Sequence, residues 1–220
     1  MTQQSEFQEQ SEELIAAAIA AAETRSAAEI AVALVARADR YRLTAVIAAL
    51  AVFALIDMIY GWKADGVAAW TATLLGPDIA QWFGSALAVG LALAAFLLCE
   101  HSALGVLLTP LSRRRQACLT QSRKIFFEHG IDATQDRLGL LICLCEAERH
   151  VDILPDRGIA AIIPAERWAA LIEAFRRQKS GASLEKAVAA LVAAVADELA
   201  QHFPPWPGQT NELPDRPVRL

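Results

Sequence analysis

The sequence has 220 residues, of which 55% are hydrophobic, and a formal net charge of −5. This length suffices for one compact domain plus a membrane anchor, but not for two ordinary domains and an anchor. The mean hydropathy of +0.33 exceeds that of a typical soluble domain, and no stripe of basic residues mixed with aromatics is present, so nucleic acid is excluded as a partner.

The first two predicted elements are an amphipathic helix and a buried strand. Residues 1–13 are polar and acidic, whereas a secretory signal begins with basic residues followed at once by an apolar stretch, so no cleaved signal is expected. Residues 11–25 carry apolar side chains at helical spacing, with Ser5 and Gln8 upstream as a capping box. The short apolar run at 29–36 predicts a buried strand.

Two long apolar segments occupy the middle of the chain, at residues 43–60 and 82–99. Asp57 is the one charge in the first segment, and each segment is close to the length that crosses about 30 Å of hydrocarbon as a helix. Neither segment has a polar face, so a buried core helix of a soluble protein fits poorly. We therefore expect a transmembrane hairpin at residues 43–110 with a short outer loop.

The residues that flank the two spans predict their orientation. Arginines precede the first span and follow the second: Arg37, Arg40, Arg42, Arg113, Arg114 and Arg115. The loop between the spans holds three charged residues, Lys63, Asp65 and Asp78, and aromatic side chains surround it, namely Tyr60, Trp62, Trp70, Trp82 and Phe83. By the positive-inside rule, we expect an integral membrane protein with both termini in the cytoplasm and the lipid bilayer as its first partner.

Three ionisable residues lie in or beside the spans: Asp57, Glu100 and His101. Such groups inside hydrocarbon are typical of proton or ion paths. Each of them is also close to the end of a span, where its side chain can reach the headgroup region. A transport role and an interfacial role are therefore both open.

The segment after the second span predicts a helix followed by a β-hairpin. Residues 113–129 show helical spacing, and Gly130 occupies the position favoured for a C-terminal cap. Residues 140–145 are apolar on both faces, as in a central strand that is covered on each side. A tight turn would then reverse the chain into an antiparallel strand at 151–154, which Pro155 ends.

The C-terminal part predicts two helices and an extended tail. Pro164 suits the first position of a helix, and residues 184–203 carry one apolar stripe that must face the sheet. The tail at 208–220 is either loose or a strap that packs through three apolar residues, Leu213, Val218 and Leu220.

Taken in order, these elements predict an α/β fold: a three-layer α/β/α sandwich with a small mixed sheet, interrupted by a transmembrane helical hairpin. The first two strands are joined through a helix, which favours parallel pairing. The cytoplasmic domain is expected to be discontinuous and to consist of residues 1–42 and 111–220, with the hairpin at 43–110.

Six pieces outside the spans share a pattern with a known family. They are TRSAAEIAV at 24–32, TQDRLGLLI at 134–142, AERHVDILPDRGI at 147–159, Trp168, HFP at 202–204 and NELPD at 211–215. In their order and spacing they resemble the TPM domain family, and specifically its bacterial membrane-protein branch, in which two spans interrupt the domain. The resemblance covers nearly the whole cytoplasmic part and implies a location in the bacterial inner membrane.

The resemblance also implies an α/β/α sandwich and a choice of activities. Some members of the family are associated with acid phosphatase activity or calcium binding, and others with assembly or repair of membrane complexes. Calcium-binding members tend to carry a Thr-Asp step after the glycine loop, where this chain has Ile163, Pro164, Ala165 and Glu166. It also lacks a counterpart of their Val-Asp-Tyr opening. The resemblance therefore allows a divalent cation as a cofactor. This sequence departs from the pattern of the calcium-binding members at both of these positions.

The predicted topology places six candidate site residues at one edge of the sheet. They are Glu29 at the first strand, Thr134, Asp136 and Arg137 before the second, and Asp156 and Arg157 after the third. Two carboxylates beside an arginine suit a divalent cation or the orientation of water towards a phosphate ester. The same residue types also form structural ion pairs and loop caps, which is the competing interpretation.

The four cysteines show no disulfide framework, so reduced thiols are expected. Cys143 and Cys145 fall on one face of a strand, where two thiolates either begin a metal site or, as free cysteines commonly do, fill the core. His129 and His150 lack a serine or cysteine motif that would make them catalytic bases, and we expect them at the surface or at a helix end.

Three functional hypotheses follow. The first is a non-enzymatic interaction or assembly module for membrane protein complexes, held at the cytoplasmic face of the membrane. The second is a weak metal-dependent phosphatase that uses Glu29, Asp136, Arg137 and Asp156. The third is transport through the ionisable residues of the hairpin.

Overall fold

The computed structural model describes residues 3–62, 66, 73–74, 77–134, 136–178, 183–206 and 211–220. The chain divides into two compact units: an α/β unit, Met1–Ala38 with Arg115–Leu220, and a helical unit, Asp39–Arg114. Both junctions between the units lie a few residues from the predicted boundaries of the hairpin.

Eight α-helices and four strands are found among the described residues. In chain order they are α1 Gln3–Glu23, β1 Glu29–Val35, α2 Arg42–Trp62, α3 Pro77–His101, α4 Ala103–Leu108, α5 Leu111–Glu128, β2 Gly139–Cys145, β3 His150–Pro155, α6 Arg157–Ala160, α7 Ala165–Gln178, α8 Leu184–His202 and β4 Val218–Arg219. A single 3₁₀ turn, Ile131–Ala133, follows α5.

The four strands form one mixed sheet in the order β3-β2-β1-β4. β1 runs parallel to β2 in a register that begins with Glu29 opposite Gly139, and β3 returns antiparallel to β2, with Cys145 opposite His150. β4 adds a short parallel contact on the other side of β1. The predicted small mixed sheet and the parallel pairing of the first two strands are confirmed.

Alternate residues of the two central strands enter two separate cores, because successive side chains of a strand point to opposite faces of the sheet. On one face, the first core joins the strands to α1, α7 and α8 through Ile30, Val32, Leu34, Leu140, Ile142 and Leu144. On the other face, the second core joins them to α5 through Ala33, Val35, Leu141, Cys143, Cys145, Cys118, Ile125 and Phe126. Helices therefore cover both faces of the sheet, and the predicted three-layer α/β/α sandwich is confirmed.

The first helix is longer than its sequence pattern predicts. It begins at Gln3, so Ser5 and Gln8, which were expected to cap it, lie inside the helix. Its apolar stripe places Ile15 and Ile19 fully in the core against α8. The seam between α1 and α8 thus forms the centre of one helical layer.

Three short elements were absent from the prediction. α4 continues the apolar run after α3, and Asp156 caps α6 directly after β3. The third is β4, which belongs to the tail: Val218 and Arg219 pair with β1, and Leu213 is buried. Of the two interpretations of the tail, the strap is therefore the one observed, although Leu220 is exposed.

The helical unit contains two long apolar helices that pack against each other as a hairpin. Arg42 Nε at the start of α2 lies 3.1 Å from Glu100 Oε1 near the end of α3, which shows that the two helices run antiparallel. Windows of 18 residues, Arg42–Ile59 and Gly84–His101, are long and apolar enough to cross a membrane. Lys63, Asp65 and Trp70 of the predicted outer loop lie outside the described residues.

Candidate functional site

The six predicted site residues lie around the start of β2. The Glu29 amide donates to the Leu138 carbonyl (3.1 Å), and the Asp156 amide donates to the Gly139 carbonyl (2.8 Å). The beginning of β1, the loop before β2 and the end of β3 therefore meet at one edge of the sheet. The side chains divide into a buried group and an exposed group: Glu29, Thr134 and Asp156 are buried, whereas Asp136, Arg137 and Arg157 are exposed.

Asp156 holds the local backbone together. It is 4% exposed, its Oδ1 accepts the Arg157 amide at 2.7 Å as the cap of α6, and its Oδ2 lies 3.9 Å from the Arg137 guanidinium. Arg137 has a left-handed backbone (φ 57°) and also donates to the Asp132 carbonyl. These contacts are those of a structural ion pair and helix cap, in which Oδ2 is buried and accepts no hydrogen bond from the described residues.

Glu29 belongs to a different group, an acidic cluster formed with Glu23 and the tail. Glu29 Oε2 accepts the amides of Glu212 and Leu213, each at 3.4 Å. Glu23 Oε1 accepts the Ile30 amide, and its Oε2 accepts Asn211 Nδ2 at 3.2 Å. Asn211 Nδ2 also donates to Asp215 Oδ1, and neither Glu23 nor Asp215 was among the predicted site residues.

The electrostatics of the acidic cluster favour protonation. Burial, together with the carboxylates of Glu29 and Asp215, raises the pKa of Glu23 to about 8. Burial also raises the pKa of Glu29, although the amides of Leu213 and Glu212 oppose that shift. Near neutral pH the cluster therefore holds a proton that the separate glutamates would release.

The raised pKa of Glu23 predicts that the folded protein becomes less stable as pH rises. The unfolded glutamate has a pKa of about 4.3, so between that value and about 8 the folded state binds more protons than the unfolded state, and its stability falls with pH. Glu23→Gln should flatten this dependence in chemical unfolding followed across the pH range. Glu13→Gln, an exposed glutamate of the same helix, is the control, and equal slopes in both variants would contradict the prediction.

A thiol cluster lies on the α5 face of the sheet. Cys118 of α5, Cys145 at the end of β2 and Glu148 in the following turn bring two sulfurs and a carboxylate oxygen within 4.8 Å of one another, and all three residues are buried. Hydrogen bonds from the Cys145 thiol and from Ser122 lower the pKa of Cys143 despite its burial. Hydrogen bonding with Cys118 and Cys143, followed by burial, raises the pKa of Cys145. Cys143 and Cys145 are both buried, and neither forms a disulfide among the described residues.

A polar chain runs beside the thiols. Ser122 Oγ shares its proton between the Cys118 carbonyl at 2.8 Å and Asp152 Oδ2 at 3.2 Å, and Asp152 Oδ1 lies 3.0 Å from His150 Nε2. The carboxylate thus stands between the hydroxyl and the imidazole, whereas a hydrolytic triad needs the imidazole next to the hydroxyl. His150 is therefore held by Asp152 and does not act as a base for Ser122, and His129 is exposed just after α5.

An apolar groove of about 350 Å³ follows the free side of edge strand β3. We call it the β3 groove. Its walls come from α5, β3, the turn after α6 and α7: Leu119, Arg123, Asp152, Ile153, Leu154, Pro155, Ala160, Ile163, Ala165, Trp168, Ala169 and Ile172. β3 pairs with β2 alone among the described residues. In an antiparallel pair only alternate residues direct their backbone groups at the partner strand, so the other residues of β3 direct theirs into this groove.

Comparisons with known proteins support the fold. No known family profile matches the chain, and no similar curated protein was found. Among solved structures, the chain is similar to the NMR structure of the BA42 protein from the psychrophilic bacterium Bizionia argentinensis, with a TM-score of 0.57 and 14% sequence identity over 96% of this chain and 93% of that one. At this identity the likeness establishes the α/β fold alone.

Proposed function

We propose that this protein is a membrane-anchored, TPM-like interaction module that serves the assembly of membrane protein complexes. The hairpin of α2 and α3 anchors it in the bacterial inner membrane with both termini in the cytoplasm. The β3 groove receives an extended segment of a partner protein, which adds a strand to the sheet. The β3 groove is the observation on which this proposal rests.

The surface of the helical unit supports the membrane anchor. Only 6% and 17% of the residues in the two apolar windows are buried, whereas the core helix of a soluble protein would be mostly buried. Exposed apolar side chains continue through α4 at Leu104, Leu107 and Leu108, as expected for a short helix lying in the headgroup region. In the chain, Arg40 and Arg42 lie just before and at the start of α2, and Arg113 and Arg114 follow α3 and α4, which supports a cytoplasmic location for both flanks.

The shape of the β3 groove supports an extended peptide as its occupant. A free strand edge offers a row of backbone donors and acceptors, which an added strand can pair while its alternate side chains enter flanking pockets. Here α5 and α7 flank that edge with the apolar side chains of Leu119 and Ile172, while Arg123 supplies a positive charge. A partner segment with alternating apolar residues and an acidic residue near Arg123 fits this surface.

The other two hypotheses receive less support. The phosphatase hypothesis needs Glu29 and Asp156 to face a common substrate, yet both are buried and bonded to backbone amides. The transport hypothesis needs free charges within the hairpin, yet Glu100 is paired with Arg42. A protein-interaction role uses the β3 groove. It does not require Glu29, Asp156 or Glu100 to leave its hydrogen bonds or ion pair.

Site-specific photo-crosslinking in intact membranes tests the proposal. A photoreactive amino acid replaces Leu119 in the wall of the groove or, as the control, Leu14 on α1; both side chains are 40% exposed. We expect a discrete adduct from position 119 and none from position 14, with the protein retained in membranes after alkaline extraction.

A second pair of variants links the adduct to the groove. Ala169 lies in the groove wall and Ala170 does not, and both are exposed residues of α7. Ala169→Trp should fill the groove and abolish the adduct, whereas Ala170→Trp should preserve it. An adduct that survives Ala169→Trp, equal adducts from both positions, or release of the protein by alkaline extraction would refute the proposal.

A further inference from the structure

The thiol cluster combines three elements of the α/β unit at one buried point. Cys118 lies on the inner face of α5, Cys145 is the last residue of β2, and Glu148 belongs to the turn between β2 and β3. Cys118 and Cys145 are essentially inaccessible to solvent, and Glu148 is also buried. Cys118, more than twenty positions before the other two residues in the chain, therefore lies with them so that the three ligand atoms are within 4.8 Å of one another.

The backbone holds this arrangement in place. The Ala38 amide donates to Glu148 Oε1 at 3.1 Å. The turn itself is bonded to the segment after β1, because the Glu146 amide donates to the Val35 carbonyl (2.9 Å) and the Ala147 amide to the Ala36 carbonyl (3.1 Å). The carboxylate is thus fixed beside the two sulfurs by contacts that do not involve the sulfurs.

We propose that Cys118, Cys145 and Glu148 bind a thiophilic divalent cation, Zn²⁺, as a structural centre. Four tetrahedral ligands about 2.3 Å from zinc lie about 3.8 Å from one another, so the observed separations need only small side-chain movements. The fourth ligand is the Cys143 thiol, which hydrogen-bonds Cys145 on the same face of β2; it lies outside the group of atoms within 4.8 Å, so its side chain must turn towards the metal on binding. Binding releases the protons of the thiols to solvent and leaves thiolates on the metal.

The ligand types in the thiol cluster favour zinc over other divalent cations. The carboxylate beside the sulfurs also distinguishes the cluster from cysteines that only fill the core. Thiolate sulfur favours zinc, whereas Ca²⁺ and Mg²⁺ are bound through oxygen ligands. Cysteines that only fill a core need no carboxylate among them, and here the Ala38 amide holds the Glu148 carboxylate beside the sulfurs. This centre is independent of the β3 groove and differs in chemistry from the calcium sites that the family resemblance implies.

Cadmium binding to the purified full-length protein in detergent tests the proposal, because Cd²⁺ bound to thiolates has an ultraviolet charge-transfer band. We expect one Cd²⁺ per chain, displaced by Zn²⁺. Loss of a supporting group around a metal typically weakens affinity 10–100-fold, so Cys118→Ser, Cys145→Ser and Glu148→Gln should each lower affinity by at least about that factor. Cys99→Ser is the matched control, because Cys99 is a buried cysteine of the helical unit, outside the cluster.

A second readout separates metal binding from misfolding. Zn²⁺ should raise the melting temperature of the wild-type protein and of Cys99→Ser, but not that of Glu148→Gln, which keeps the size of the side chain and all thiols. Absence of the charge-transfer band, affinity unchanged by Cys118→Ser, or equal loss in Cys99→Ser would overturn the proposal. Affinity unchanged by Cys143→Ser would overturn the assignment of the fourth ligand.

Discussion

Gly139→Ala is expected to lower the free energy of unfolding of the α/β unit by about 3 kcal/mol or more, because no space exists for a methyl group at the start of β2. A Cβ atom at this position would lie 2.2 Å from the Ile131 carbonyl oxygen and 2.9 Å from Ile131 Cγ2. Backbone cannot move away as a flexible side chain can, and Gly139 also pairs with Glu29 and accepts the Asp156 amide. Denaturant unfolding followed by circular dichroism measures the loss.

Two further glycines provide graded controls for this substitution. Gly130 has a left-handed backbone (φ +64°), but its nearest neighbour would be 3.9 Å away, so Gly130→Ala should cost only about 1 kcal/mol. A Cβ on Gly90 meets nothing within 4 Å, so Gly90→Ala should be neutral or slightly stabilising in its helix. If the Gly139→Ala protein were as stable as the Gly90→Ala protein, the Ile131 carbonyl could not lie this close to position 139.

The second large effect is expected at the seam between α1 and α8. Ile19 is fully buried there with Val195 and Leu199. Ile19→Ala should lower the free energy of unfolding by about 3 kcal/mol, since it removes apolar contacts and leaves a cavity. Leu14→Ala on the same helix removes a side chain that is 40% exposed, and it should cost less than about 1 kcal/mol.

Unfolding measured on both variants under identical conditions decides the prediction. Equal losses would mean that the face of α1 that carries Leu14 is covered as fully as the face that carries Ile19. A small loss in both would mean that α1 adds little to the stability of the sandwich.

Apolar periodicity predicted the large elements because each is long enough to show its repeat. The strands β1 and β2 were predicted almost to the residue, since a strand covered on both faces forms a continuous apolar run. β4 was missed because two residues, Val218 and Arg219, are too few to show alternation. α4 was missed because its sequence continues the apolar character of α3.

The sequence predicts which edge of the sheet carries the candidate site residues, but not the partners to which their side chains are bonded. β1 and β2 begin, and the antiparallel β3 ends, at the edge that carries Glu29, Arg137 and Asp156, and the sequence predicts this arrangement. It does not show that Asp156 caps its own helix, or that the tail returns its amides to Glu29. Such contacts depend on loop geometry, which residue spacing does not encode.

The thiol cluster illustrates the same limit for contacts between distant residues. The spacing of Cys143 and Cys145 places both on one face of a strand, and this could be read directly from the sequence. Cys118 and Glu148 come from another helix and from a turn, and only the docking of α5 onto the sheet brings them to the same point. No local pattern indicates that docking.

The antiparallel hairpin also affects how the domain reaches its native state. β1 and β2 are neighbours in the sheet although the whole hairpin separates them in the chain, and joining strands so distant normally carries a large loss of chain entropy and slows folding. The contact between Arg42 and Glu100 joins the two ends of the hairpin, which makes up most of that separation. Closure of the hairpin would therefore shorten the effective loop between the two central strands, and we expect it to precede the pairing of β1 with β2.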